Sequence, residues 1–501
     1  MVNHHFDGCT IDGNWAGSSG GGIFAFGIDG INYFLTDTDV TDNHADVNGG
    51  GITLVLGGNL DISDDCLIAD NTAGISGGGV YSAVDIPFLV KSLEDRFTEA
   101  KGSLFFAGST IISISASMVQ DNTAVLGNGG GIHQMGGDLL VGKGIFAEVE
   151  TLIVDDSEVL NNHAGHDGGG IYFVGFLSPE FCQENCCSSC FICKDGDKGC
   201  AEKEPSSVPP GCEACCLGGF CPFKEGKGAP CPKGIGSFDA VCTVRSSNVN
   251  GNRADTGKGG GIFFAEGILL DLDGTTLDQN TASEFGGGIY FGGTTQFADP
   301  CESCCQDCEC ITKGLCPAKE KGICLDCCET FCPLKEEKGC PPLEAFTSTL
   351  DCVSGTISDN WANGGGGGIS VAGTDLVACL LENTDVLDNH TDGNGGGIEI
   401  VNGGFLGVSN NCLFSGNRAG FSGGGIYSGI EGGMTQIDPP SLEKGGLSYP
   451  VFGFPTVQIA DSTIEGNTAE SGNGGGVRQG GDQMLMPAKG LALSGRCAAG
   501  L

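Results

Sequence analysis

The sequence predicts an all-β solenoid, a parallel β-helix of about 11 coils built from one repeated unit. Three observations carry this. First, Asn-x-Ala or Asn-x-Thr recurs 11 times, at Asn14, Asn43, Asn71, Asn122, Asn162, Asn252, Asn280, Asn360, Asn389, Asn417 and Asn467. Second, each is followed 9 or 10 residues later by Gly-Gly-Gly and an apolar residue: Ile23, Ile52, Val80, Ile132, Ile171, Ile262, Ile289, Ile369, Ile398, Ile426 and Val477. Third, the stretches between them read as short β runs with turn signals, and none holds helical periodicity long enough for a helix.

The elements follow in order within a coil. One interval reads Ile52-Thr-Leu-Val-Leu56, then Gly57-Gly58, then Leu60-Asp-Ile62, then Cys66-Leu-Ile68, which predicts three strands and one glycine-rich turn. Three residues before every repeat Asn lies an apolar residue: Ile11, Val40, Ile68, Val119, Val159, Val249, Leu277, Ile357, Val386, Phe414 and Ile464. Stacked coil on coil, this column excludes water from the interior. Five residues before the Asn, small residues dominate, among them Cys9, Thr38, Cys66, Ser117, Ser157, Ser247, Thr275, Thr384, Cys412 and Ser462. They are expected to point inward where the coil is narrow.

The repeat Asn tolerates tight-turn geometry, and its amide both donates and accepts. At the ~4.8 Å spacing of stacked strands such amides bond along the axis as a ladder. The Ala that follows fits where bulk would collide. The glycines permit positive φ and close passage of neighbouring turns. All these positions are read as structural.

Asn-x-Ala followed by Gly-Gly-Gly-Ile resembles the repeat of polymorphic outer membrane proteins and related autotransporter passengers. That family pairs a Gly-Gly-x-Ile motif with a Phe-x-x-Asn motif. The second appears here as apolar-x-x-Asn, with Phe at Phe414-Ser-Gly-Asn417. The resemblance covers nearly all coils and implies a right-handed, pectin-lyase-like β-helix at a cell surface or outside the cell. The C-terminal membrane barrel of the family has no counterpart in this sequence.

A larger repeat contains the small one. Asn14-Trp-Ala returns as Asn360-Trp-Ala, Asn43-His-Ala as Asn389-His-Thr, Asn71 as Asn417, Asn122 as Asn467 and Cys66 as Cys412. Coils 1–4 thus recur as coils 8–11, and a loop at 83–107 returns in shorter form at 429–454. The expectation is a single β-helix over 1–501, cut from a longer array. No apolar stretch approaches the ~20 residues of a membrane-spanning helix.

The 29 cysteines concentrate in two inserts, at 178–242 and 300–352. The first carries Cys182, Cys186, Cys187, Cys190, Cys193, Cys200, Cys212, Cys215, Cys216, Cys221 and Cys231, with Cys242 after it. The second carries Cys301, Cys304, Cys305, Cys308, Cys310, Cys316, Cys324, Cys327, Cys328, Cys332 and Cys340, with Cys352 after it. Twelve is even, so six bridges in each module are expected to staple segments poor in core residues. The competing reading is a thiolate metal cluster; no histidine lies in either insert. Both inserts leave the coil just after the Gly-Gly-Gly strand, so they are expected to project on one side as knobs. They hold 11 of the 23 basic residues and are the expected contact surface.

A formal net charge of −40 excludes a nucleic-acid footprint. Aspartate precedes the repeat Asn at Asp42, Asp70, Asp121, Asp359 and Asp388, and such columns are candidates for weak Ca²⁺ binding or for solvated turns. No other cofactor is expected. The alternative to a scaffold is a polysaccharide lyase or glycoside hydrolase, for which Asp155, Asp156, Asp271 and Asp273 are the candidate carboxylates. His44, His163 and His390 follow the repeat Asn at a position that elsewhere holds Trp, Thr or Arg, so no catalytic arrangement is read there. That mixture also lacks the regular Thr array of an ice-binding face. The reading that emerges is an extracellular or cell-surface structural and adhesive scaffold. Its expected partner is a surface protein or glycan, and catalysis is not expected.

Overall fold

A computed structural model describes residues 2–26, 31–55, 57–83, 110–136, 139–141, 144–146, 150–175, 191–192, 201–202, 240–293, 348–373, 377–430 and 455–480. These form a parallel β-helix. Four sheets of 11 parallel strands run its length, each taking one strand from every coil. In coil 2 the four strands are Ile31–Thr36, Asp39–Thr41, His44–Ala45 and Ile52–Val55. Coils stack in register, with Ile68 aligned between Val40 and Val119. At ~4.8 Å per coil the rod is about 50 Å long.

The sequence pattern anticipates three strands per coil, and the structure has four. The additional strand is the x-Ala pair of the repeat itself, as in Thr72–Ala73 between His44–Ala45 and Thr123–Ala124. Two residues are too few for alternation to reveal a strand. Only its pairing to both neighbouring coils defines it.

The interior is one continuous apolar column. Val40, Ile68, Val119, Val159, Val249 and Phe414 are fully buried, as are Ile52, Val80, Ile132 and Ile171 from the strands after the glycines. In the first-sheet strand Thr110–Ser115 burial alternates, with Ile112 and Ile114 inside and Ile111, Ser113 and Ser115 partly exposed. The small residues expected inside are there: Thr38, Cys66, Ser157, Ser247 and Cys412 are buried. They form a ladder of their own, with Ser117 N–H donating to Ser157 Oγ (3.2 Å) and Ser157 N–H to Ser247 Oγ (3.0 Å).

Each coil turns three corners on residues with positive φ. The residue before the repeat Asn is one of these in all 11 coils, for example Asp42 (φ 53°), Asp70 (56°), Asn161 (52°) and Gly251 (66°). The residue six before the Asn is another, including Asp37, Asp65, Asp156 and Asp461. The left-handed region admits Gly, Asn and Asp at least cost. The repeat Asn does not itself supply the tight-turn geometry expected of it. Its predecessor does, which frees the Asn for the ladder. The third corner is the first glycine of each triplet, such as Gly77 (φ 68°).

All the long excursions leave from the end of the fourth sheet. The described chain departs at Ala83, Gly175, Gly293 and Ile430 and rejoins the first sheet at Thr110, Ala240, Ser348 and Pro455. A shorter excursion after Gly136 contains an antiparallel pair, Leu139–Val141 with Gly144–Phe146. Another antiparallel pair joins Phe191–Ile192 to Ala201–Glu202. The loops at 83–107 and 429–454 lie almost wholly outside the described residues, as do the first 11 cysteines of each insert.

Cys242 and Cys352 correct the sequence reading. They belong to the solenoid core and not to the cysteine-rich inserts. Cys242 lies in Val241–Arg245, paired with Leu152 and Leu270, and is fully buried. Cys352 lies in Ser348–Val353 and is also buried. Both are free thiols, as are Cys9, Cys66, Cys379 and Cys412. Burial pushes the Cys242 and Cys352 thiols well above the ordinary range, which keeps them protonated and inert. Each insert is thereby left with 11 cysteines, an odd number.

Candidate interaction surface

The Asn ladder is complete. Asn71 Oδ1 accepts from both the backbone N–H (3.0 Å) and Nδ2 (3.0 Å) of Asn43. Asn71 Nδ2 donates to Asn122 Oδ1 (3.0 Å) and to the Val40 carbonyl (2.8 Å). The same pattern links Asn122 to Asn162, Asn162 to Asn252, Asn252 to Asn280, Asn280 to Asn360, Asn360 to Asn389 and Asn389 to Asn417. It ends at Asn14 and Asn467. Every amide inside the stack is saturated, so the ladder is structural and offers nothing to a ligand.

Two further ladders escaped sequence reading. Asn59 donates to Asn32 and Asn32 to Asn3 (2.9 Å each) on the outside of the first sheet. Just before the glycine triplet, Asn48, Ser76, Asn128 and Asp167 accept from the backbone one coil on. The signal for the second was an Asn, Ser or Asp immediately ahead of most triplets.

The aspartates weighed for calcium sit at the corners described above, and the demand for positive φ accounts for their residue type. Burial, then the charges of Asp121 and Asp42, raise the Asp70 carboxyl above its ordinary range. Burial, then Asp278 and Asp388, do the same to Asp359. Among the described residues no group of three or more His, Cys, Asp or Glu side chains is arranged to hold a metal ion.

The carboxylates weighed for catalysis fall on the first sheet and its corner. Asp155, Arg245 and Asp273 are register neighbours in successive coils, and Arg245 donates to Asp271 at 2.6 Å. Asp156 is a corner residue (φ 46°) and does not share that row.

The outward residues of the third sheet make a continuous column, each following the repeat Asn: Trp15, His44, Thr72, Thr123, His163, Arg253, Thr281, Trp361, His390, Arg418 and Thr468. Carboxylates three residues past the Asn line one side of it. Asp46 Oδ1 takes Trp15 Nε1 and lies 3.2 Å from His44 Nε2. Asp255 takes Arg253 Nε at 2.6 Å and lies 2.7 Å from His163 Nε2. Asp392 lies 3.3 Å from His390 Nε2, and Glu470 pairs with Arg418. Burial alone would raise the Asp255 carboxyl, but the hydrogen bonds from His163 and Arg253 outweigh it and hold it below the usual range. The three histidines are therefore partners of carboxylates, a role not read from the sequence.

On the fourth sheet, outward rings stack through five successive coils: Tyr81, His133, Tyr172, Phe263 and Tyr290, with centroids 4.7–5.1 Å apart. Inside the same strands, Phe173, Phe264 and Phe291 stack in parallel. Burial drives the His133 imidazole down from 6.5 to about 3. Its folded pKa is depressed, so the unfolded chain binds the proton first as pH falls. Stability is fully present above about pH 6.5 and declines from there towards pH 3, by at most ~1.4 kcal/mol per pH unit. His133→Phe keeps the stack and removes the titration. Between pH 7 and 5, amides of coils 3–5 in the native protein should lose about 2 kcal/mol more protection than those of the variant. Equal losses would mean that His133 is charged in the fold.

Fold and surface together define a parallel β-helical solenoid whose inner Asn ladder is saturated and whose outer faces carry columns of charged and aromatic side chains. Residues 411–429 match the family model of the Chlamydia polymorphic membrane protein repeat. The match falls on the coil that carries Phe414-Ser-Gly-Asn417 and the following Gly-Gly-Gly-Ile. This match agrees with the repeat resemblance read from the sequence. No curated protein and no solved structure matches the chain. Among the described residues no helix is long and apolar enough to cross a membrane.

Proposed function

We propose that the chain is part of an extracellular or cell-surface rod, a rigid spacer that displays its cysteine-rich inserts to a partner protein or glycan. The observation that carries this reading is the common origin of the excursions. Four long segments, including both inserts, leave a regular 11-coil stack from the same sheet edge. A stack of saturated ladders is stiff, and segments that leave from one edge all start from one side of it. A right-handed, pectin-lyase-like coil agrees with the strong preference for right-handed crossovers between parallel strands. In the producing organism, antibody to the coils should label intact cells or their medium. Labelling only after permeabilisation would overturn the surface assignment.

The inserts are proposed to be disulfide-bonded. With 11 cysteines each, they pair within themselves except for one apiece, or share one bridge between them. Thiol titration of unfolded, unreduced protein should then find no more than nine thiols: six in the coils, Cys497 and one from each insert. Labelling of most of the 29 cysteines, or zinc retained on purification, would replace disulfides with a metal cluster.

The second reading is a glycan-cleaving enzyme. It is favoured by one feature, the gathering of Asp155, Asp271 and Asp273 around Arg245. Release of products from acidic glycans that disappears with Asp273→Asn would establish it.

A further inference from the structure

The third-sheet column contains a test of its own chemistry. Where it holds an arginine, a carboxylate three residues past a repeat Asn takes the guanidinium: Arg253 on Asp255, Arg418 on Glu470. The equivalent carboxylates in coils 2 and 9, Asp46 and Asp392, have no arginine. Each stands beside a histidine and one coil from a tryptophan in register with that histidine, Trp15 with His44 and Trp361 with His390. These are the only two tryptophans in the chain, and they are 346 residues apart at matched positions.

The surroundings are built for a cation. Trp15 is 68% exposed, and its ring is held at the Nε1 edge by Asp46 while its far edge lies over Gly17. Among the described residues Asp46 Oδ2 takes no hydrogen bond, and the Asp46 side chain is 48% exposed. Trp361 is half-buried between Thr281 and His390, with Asp392 59% exposed nearby. Across the two-residue strands lie more exposed carboxylates, Asp42 in one case and Asp359 and Asp388 in the other. On a chain of net charge −40, exposed carboxylates on both sides of an indole favour a cation between them.

We infer that Trp15 with Asp46 and Trp361 with Asp392 are twin docking sites for arginine side chains of a basic partner protein. A guanidinium there stacks flat on the indole, and it donates to the carboxylate in the way that Arg253 and Arg418 donate to Asp255 and Glu470 within the column. Seven coils separate the sites, about 34 Å at ~4.8 Å per coil, so one partner with suitably spaced arginines engages both. This inference rests on the reading of the rod as a display surface. It names the class of partner that the coils themselves take.

The test uses the full chain, and its fluorescence reports on these sites alone because both tryptophans lie in them. An oligo-arginine peptide should change tryptophan emission saturably. An oligo-lysine peptide of equal length should bind roughly fivefold more weakly, since an ammonium neither stacks nor forks. By calorimetry, the doubly substituted Asp46→Asn, Asp392→Asn protein should bind oligo-arginine about tenfold more weakly than the native chain. Hydrogen exchange should show its coils intact. Three results would overturn the proposal. They are unchanged affinity in that variant, unchanged affinity in Trp15→Ala with Trp361→Ala, and an emission response to neutral oligosaccharide but not to peptide. The first two would mean that general acidity holds the peptide. None bears on the cell-labelling experiment, so failure here leaves the surface assignment standing.

Discussion

Asn71→Leu should open the solenoid locally and leave its far end intact. The substitution strips the acceptor from two buried donors, the backbone N–H and Nδ2 of Asn43, and removes the donor to the Val40 carbonyl. Each orphaned buried group costs about 1–3 kcal/mol, so the loss is on the order of 5 kcal/mol. Leucine has no polar atom with which to recover any of it. Thr72→Ala, one residue on, should change stability by less than about 0.5 kcal/mol, because Thr72 faces outward and its backbone bond to the Asn43 carbonyl survives. Coils couple mainly to nearest neighbours, so exchange should accelerate around residues 43–131 and stay nearly unchanged around 389–477. If Asn71→Leu is tolerated and Thr72→Ala is not, the inward and outward faces have been reversed.

Gly78→Ala should be the next most damaging change, for a reason of space and not of dihedral angle. Gly78 is the middle glycine of its triplet and does not have positive φ. A Cβ there would lie 2.4 Å from the Gly130 carbonyl oxygen and 2.6 Å from Thr123 backbone atoms, all in the next coil. Backbone cannot swing aside as a side chain can, so coils 3 and 4 must separate. The cost should reach or exceed the top of the ~1–3 kcal/mol range for overpacking. Gly13→Ala is the control. It has positive φ (66°) but nothing within 4 Å of its Cβ position, so it should cost only the ~1–2 kcal/mol of a left-handed residue. Local exchange protection measures both. Equal effects would mean that the triplet is held in shape by its first glycine alone.

Much of this architecture was legible because a stacked repeat writes its geometry into the chain many times. Each inward column appears as a fixed offset from the repeat Asn, so Ile68, Val119 and Val159 declare themselves interior without any neighbour being known. The ladder followed from the same arithmetic, since an amide at every ~4.8 Å has one available partner. What escaped were features too short or too dispersed for periodicity. The Thr72–Ala73 strand is two residues long. Cys242 and Cys352 fell beside cysteine-rich text and were counted with it, although their offsets from Asn252 and Asn360 match the core positions of other coils.

The interaction surface shows the other half of the division. The sequence determined which residues occupy the column after the repeat Asn, because their offset never varies. It did not reveal that Asp46, Asp255, Asp392 and Glu470 line that column, or that His163 and Arg253 converge on one carboxylate across 90 residues of chain. Those contacts join side chains in successive coils, and an insert of any length can stand between two coils that touch. The repeat sets the register of the stack. Only the folded stack brings charges on separate coils within hydrogen-bond distance, and the Coulomb energy depends on that distance and not on separation along the chain.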